Sequence, residues 1–295
     1  SDFAPSAADG KGGSAKDQRG SNITPYQRAV SHYFGRPKIT GKRNQRDGVE
    51  FYSTAEPLAY KMVQWAGLRA NERVLEPSAG DGAIARYMPD DVALTMVEPS
   101  ADLGSTAQLR APKGVVFDTT FENHNIVNKY HAIVMNPPFG SGGSTAMQHL
   151  AKAAKHLRPG GRLVALIPTG PSADKKFDAW WTSKEAEDFN WTADIALPSV
   201  AFERAGTGVT TRIVILDKIP DLSDRARFGG NNGGTKRLNF TGASNVTDFF
   251  DRLEGYDVPA RPQPAQSVID EMEAEGQDAT TPVDQRRPKP ALATE

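Results

Sequence analysis

The chain of 295 residues contains no cysteine, which excludes a disulfide framework, the usual thiolate zinc sites and catalysis through a thiol nucleophile. It has no run of 18 or more apolar residues and no secretory signal pattern. Nothing in it therefore directs the chain to a membrane or to export, and the expected location is the cytoplasm. Neither charge sign dominates. With 35 Lys and Arg against 36 Asp and Glu, the net charge is −1, so only local patches can speak for nucleic acid. Hydrophobic residues make up 38%, enough for one core of about 200 residues and few for two, which leaves the extra length as tails. The chain opens at Ser1 without methionine, as a processed or excised piece would. Histidine is sparse, and His32, His124, His131, His149 and His156 show no paired metal spacing. His149 and His156, on one expected helix, read as packed or solvated side chains.

What is present centres on Ile133-Val134-Met135-Asn136-Pro137-Pro138-Phe139-Gly140. The run from His131 to Met135 is short, apolar and partly β-branched, as a strand covered on both faces requires. Neither proline has an N–H and each fixes its φ, so the segment can continue neither as strand nor as ordinary helix. The Asn136 side-chain oxygen and the Pro137 carbonyl suit the two hydrogens of an NH2 group, and Phe139 suits the plane that carries it. The bland alternative is a proline-rich turn after a strand.

Val74 to Glu76, then Pro77-Ser78-Ala79-Gly80-Asp81-Gly82, reads as a strand, a glycine turn and a helix start. Glycines there let the backbone approach a ligand. There is no phosphate-loop Gly-Lys-Ser/Thr, so a triphosphate is not indicated. Sixteen residues after Gly82, Glu98 closes a second strand, Val92 to Val97, where an acid accepts both hydroxyls of a ribose. Further strands are expected at 115–117, 163–167, 195–198 and 211–216. Helices are expected at 23–35, at 58–66 capped by Thr54, and from Ser144 or Thr145 as cap through His156. Residues 172–190 also look helical. Gly140 to Ser144 reads as a mobile lid. Past Lys218 a hairpin (225–228 against 235–240) and a helix 246–254 capped by Ser244 or Asn245 are expected.

The Asn136-Pro137-Pro138-Phe139 tetrapeptide resembles the Asn-Pro-Pro-Tyr/Phe signature of class I amino-methyltransferases, which act on adenine N6, guanine N2 or glutamine amide nitrogen. The glycine turn with Glu76, Ala79, Gly80, Gly82 and Glu98 resembles the S-adenosyl-L-methionine (SAM) site of the same enzymes. The resemblance implies that Tyr52, Ser53 and Thr54 cover the methionine end of the cofactor and that Thr120 and Phe121 meet its adenine. Thr120 stands where the relatives carry an acid, so a hydroxyl, the main chain, Asp118 or Glu122 must hold the adenine amine instead. Leu197-Pro198-Ser199-Val200-Ala201-Phe202 and the segment to Leu216 resemble type I modification subunits and phage antirestriction methyltransferases of the DarB kind. There Phe202 would stack on a flipped base opposite Phe139; otherwise it anchors a strand end.

These readings imply an α/β, Rossmann-like class I methyltransferase fold with a seven-stranded, mostly parallel sheet, in the γ order of motifs. The expected divisions are a disordered tail (1–22), a basic arm (23–49), the SAM-dependent domain (50–218), a small extension (219–255) and a disordered acidic, proline-rich tail (256–295) linking to a further domain or partner protein. Lys42, Arg43 and Arg46 in the arm either neutralise phosphates or form a solvated linker. Without cysteine, covalent pyrimidine C5 methylation is disfavoured and direct transfer to nitrogen favoured. The expected activity is methylation of adenine N6 in DNA, with low sequence specificity. RNA adenine or guanine, protein glutamine, and a non-catalytic SAM- or nucleic-acid-binding module are the alternatives.

Overall fold

The structure, a computed structural model, describes residues 23–36, 52–124, 129–205, 208–220 and 234–262. In chain order its elements are α1 (Pro25–Gly35), α2 (Glu56–Ala66), β1 (Arg73–Glu76), β2 (Ala93–Val97), α3 (Ala101–Arg110), β3 (Val115–Phe117), β4 (Tyr130–Met135), α4 (Ser144–His156), β5 (Leu157–Pro168), α5 (Pro171–Trp181), β6 (Phe189–Ala196), β7 (Thr211–Lys218), β8 (Lys236–Asn239) and α6 (Val246–Glu254). The strands form one sheet in the order β3-β2-β1-β4-β5-β7-β6-β8. Pairing is parallel from β3 to β5 and between β6 and β8, and antiparallel on both sides of β7.

β4 is buried along its whole length. Its side chains alternate between two cores, as a pleated strand demands. Ala132 and Val134 face a core shared with α1, α2, α3 and α6. Ile133 and Met135 face a second core beneath α4 and α5, which includes Phe177, Trp180 and Phe189. Both faces of the central strands are thus covered, which is why they read as unbroken apolar runs. From β1 the chain winds outward to β2 and β3, then returns to β4 on the other side of β1. The carboxyl ends of β1 and β4 therefore flank a topological switch point, where open α/β sheets bind ligands. They carry Glu76 and Asn136.

Several expectations are corrected. The sheet has eight strands, because β8 pairs with β6 in parallel instead of folding into a hairpin; residues 225–228 lie outside the described residues. Helix α5 ends at Trp181, and Phe189 to Ala196 is strand. Helix α3 had no expected counterpart. The N-cap of α2 is Ala55, not Thr54, and that of α4 is Gly143, with no side-chain cap in either case. Gly140 to Ser144, expected as a mobile lid, forms a 3-10 turn at Ser141–Gly143, and Lys176 Nζ of α5 donates to the Gly142 carbonyl (2.9 Å).

The arm helix and the C-terminal extension meet on one core. Tyr26 of α1 donates its hydroxyl hydrogen to the Phe250 carbonyl of α6 (2.7 Å), and Tyr33 packs edge-on against the Phe250 ring. Phe34, next to it, is 43% exposed. The segment after α6, expected to be tail, stays packed through Pro262, with Arg261 buried against Glu72 (2.8 Å). Residues 1–22 and 263–295 lie outside the described residues. Among the described residues no helix is long and apolar enough to cross a membrane.

Candidate active site

A cavity of about 340 Å³ sits at the switch point, lined from the ends of β1, β2 and β4, the β3–β4 loop, α4 and residues 52–54. Its floor is the glycine turn. The Ala79 amide donates to the Val97 carbonyl (3.0 Å) and the Gly82 amide to the Ala79 carbonyl (2.8 Å), fixing a tight loop. Gly82 takes φ +78°, and a Cβ there would lie 2.7 Å from the Ala107 Cα. Gly82 is thus needed for close approach of α3, and it does not line the cavity. Ala79 and Gly80 do.

Three acids surround this turn. Glu98 accepts the Gly80 amide on one oxygen (2.8 Å) and the Ser100 amide on the other (2.9 Å). Burial raises its carboxyl despite those two hydrogen bonds. Each oxygen keeps a second lone pair, so a diol can still donate to it. Glu76 is 1% exposed, and burial, then the charge of Asp81, pushes it well above the usual carboxylate range. Its Oε2 is buried without a hydrogen-bond partner. Asp81 accepts from Ser53 Oγ (3.1 Å) and pairs with Arg110 (2.7 Å), so its own charge is compensated. An orphaned acid beside a diol acceptor calls for a cationic donor in this cavity, as an α-ammonium would be.

Asn136 is clamped from 82 to 84 residues away in sequence. Its Nδ2 donates to the Tyr52 carbonyl (3.0 Å) and to Thr54 Oγ1 (3.0 Å). A carbonyl can only accept, so the amide cannot be turned over, and Oδ1 is left as a free acceptor on the cavity side. This explains why Thr54 does not cap α2: its hydroxyl is engaged with Asn136. Pro137 and Pro138 line the cavity beside the amide. Phe139 does not. It is buried, and Tyr52 stacks on it (centroids 6.3 Å, planes 24° apart). Gly140 follows at φ +65°, and a Cβ there would overlap Thr145 at the start of α4.

At the other end, Thr120 and Phe121 line the cavity with Glu122. Of the two acids considered for the adenine amine, Glu122 is here and Asp118 is not. His149 also lines this end, which its lone position on α4 gave no sign of. Phe202, expected opposite Phe139, is 2% exposed and packed in the core with Phe240 and Phe249, away from the cavity. As placed, it is a hydrophobic anchor within the 3-10 turn Ser199–Ala205 that follows β6. Lys42, Arg43 and Arg46 lie outside the described residues. Among the described residues no group of three or more His, Asp or Glu could hold a metal ion.

Comparison with known proteins bears on the fold. Residues 62–179 match the family model "Methyltransferase small domain". No curated protein matches the sequence. A protein of Listeria monocytogenes described as a class I S-adenosylmethionine-dependent methyltransferase superposes with TM-score 0.54 at 15% identity, covering 72% of each chain. The methyltransferase subunit of a type I restriction-modification system from Streptococcus thermophilus gives 0.50 at 15% identity, covering 81% of this chain and 55% of its own. A protein of Pyrococcus horikoshii described as an RNA methyltransferase gives 0.50 at 17%, covering 66% of this chain and all of its own. The chain therefore has the fold of class I methyltransferases, and residues 62–179 of it match a methyltransferase small domain.

Proposed function

We propose that this protein transfers a methyl group to the exocyclic N6 of adenine in DNA, with low sequence specificity and in the cytoplasm of a bacterial or phage-infected cell. The observation that carries this reading is the clamped Asn136 amide, whose Oδ1 is left to accept a hydrogen from an amino group. Bound SAM supplies an electrophilic methyl on a sulfonium. The chain's own residues do the rest. Asn136 Oδ1 and the Pro137 carbonyl accept the two amino hydrogens, draw the nitrogen from planar towards tetrahedral and localise its lone pair. No general base is required before transfer. A target in duplex DNA must be flipped out, at a cost of a few kcal/mol, and to stack on Phe139 it must displace the Tyr52 ring that now covers it. The superposition over 81% of this chain on a type I modification subunit supports DNA. The match to the P. horikoshii protein favours RNA as the second reading. Labelling DNA, RNA and protein with tritiated SAM, followed by nucleoside analysis, tests both. Label in N6-methyladenine of DNA is the expected result, and label in protein glutamine alone would overturn it.

Two further expectations stand beside it, one from the site and one from the sequence of the basic arm. Glu98→Ala should weaken SAM binding by about 1.5–3 kcal/mol, the worth of hydrogen bonds to a charged acceptor, while the protein remains folded. Calorimetry with SAM measures this, and an unchanged affinity would remove Glu98 from the ribose. Neutralising Lys42, Arg43 and Arg46 together should flatten the salt dependence of DNA binding. The slope of log K against log salt falls by up to about 2.7, three contacts at about 0.9 each, equally for all DNA sequences. Parallel slopes for parent and variant would leave these charges as a solvated linker.

A further inference from the structure

The end of the cavity beyond Glu98 holds a hydrogen-bonding group that neither the glycine turn nor the Asn-Pro-Pro-Phe loop explains. His149, on the second turn of α4, is 4% exposed and lines the cavity beside Thr120 and Phe121. Its Nε2 lies 2.9 Å from Glu122 Oε1. An ionised carboxylate only accepts, so the neutral ring carries its proton on Nε2, and Nδ1 presents a lone pair. Burial would raise the Glu122 carboxyl, yet hydrogen bonds, that from His149 first, hold it below its ordinary value and so ionised. His149 Nδ1 itself is buried with no hydrogen-bond partner. An acceptor in that state calls for a donor from whatever fills the slot.

Apolar side chains also line the slot. Phe121 meets the imidazole edge-on (centroids 5.2 Å, 73°), with Leu103 and Pro99 nearby on the cavity wall. Glu76 and Glu98 suit the ammonium and the ribose diol of the cofactor, and a methyl bound for an acceptor held by Asn136 fixes the sulfonium near that residue. The part left over is adenine, a planar ring with one amine. We propose that His149, with its tautomer fixed by Glu122, accepts a hydrogen from the 6-amino group of the cofactor's adenine, at the end where Thr120 offers no acid. The inference rests on SAM occupying the cavity and is independent of which acceptor is methylated.

The test is a calorimetric comparison of two probes, S-adenosylhomocysteine and its purine counterpart, which differs only in lacking the 6-amino group. The parent should bind the amino probe about tenfold more tightly. His149→Phe keeps a packed ring without the acceptor and should bind the two probes within a factor of about two. Glu122→Ala, which frees the tautomer, should narrow the preference while leaving affinity for the purine probe near the parent's, an effect that simple loosening of the fold does not produce. A parent without preference, or a His149→Phe variant with the full preference, overturns the proposal. Should the Phe variant fail to fold by circular dichroism, undiminished preference in Glu122→Ala overturns it alone. Folded parent that binds neither probe removes the cofactor from the cavity and the proposal with it. Nucleic-acid labelling separates that outcome from a wrong choice of acceptor.

Discussion

Asn136→Ala should lower the rate of methyl transfer by about a hundred- to a thousandfold, the range measured when one preorganised hydrogen-bonding group is removed from a transition-state site. The change falls on the rate at saturating substrate, because the lost acceptor acts on the reacting nitrogen. Cofactor binding should weaken too, but only severalfold. The same amide holds the Tyr52 carbonyl and Thr54 Oγ1 on the cavity wall, so its removal loosens the segment beside the cofactor without touching Glu76 or Glu98. Thr54→Val separates the two roles. It deletes one of the clasps and leaves Oδ1 in place, so its rate should fall far less than that of Asn136→Ala. Single-turnover kinetics with labelled SAM, beside calorimetry on the same preparations, reads both effects. An alanine variant that keeps more than a few per cent of the parent rate would end the assignment.

How far the sequence could be read follows from where each function's residues sit along the chain. Asn136 to Pro138, the glycine turn and Glu98 could be placed together from the sequence because each lies at the end of an apolar strand, and all of them line the one cavity. β4 was legible as well, because its unbroken apolar run matches a strand covered on both faces. Thr54 was misread. Its position before Glu56 and Pro57 fits a helix cap, and only the fold reveals that a more demanding partner, Asn136, takes its hydroxyl. His149 and Glu122, 27 residues apart, carry no local pattern, since either alone is ordinary on a helix or in a loop. Thr120 in place of an acid marked the gap, and the β3–β4 loop folding back on α4 fills it. Phe202 failed for the converse reason. Its neighbours fit a known pattern, yet Phe240 and Phe249, from a segment of unremarkable composition, bury it. β8 was hidden similarly, because β6 offers an unpaired edge to any extended segment that reaches it.

The segment after α6 explains a second large effect, at the sheet end opposite the cavity. Arg162, 1% exposed at the start of the buried β5–β7 pairing, makes a two-pronged contact with Asp217 (2.6 and 2.8 Å). Its Nη1 also donates to the carbonyls of Trp65 in α2 (2.9 Å) and Pro259 in the packed C-terminal segment (3.1 Å). Thr192 Oγ1 of β6 donates to the same Asp217 oxygen that accepts from Arg162 Nη2 (2.6 Å). One guanidinium, shielded from solvent, thus ties two strands, a helix and the segment beyond α6. Asp217→Ala leaves that cation buried without its counter-charge and should destabilise the fold by about 3–5 kcal/mol. Arg162→Met combined with Asp217→Ala should be less destabilised than the single variant, because no charge is stranded. It should still fall short of the parent, since the Trp65 and Pro259 carbonyls lose their donor. Urea unfolding at matched slope measures both variants. A loss below about 1 kcal/mol in Asp217→Ala would mean that water reaches Arg162 and that this edge of the β5–β7 pairing is not sealed as the structure has it.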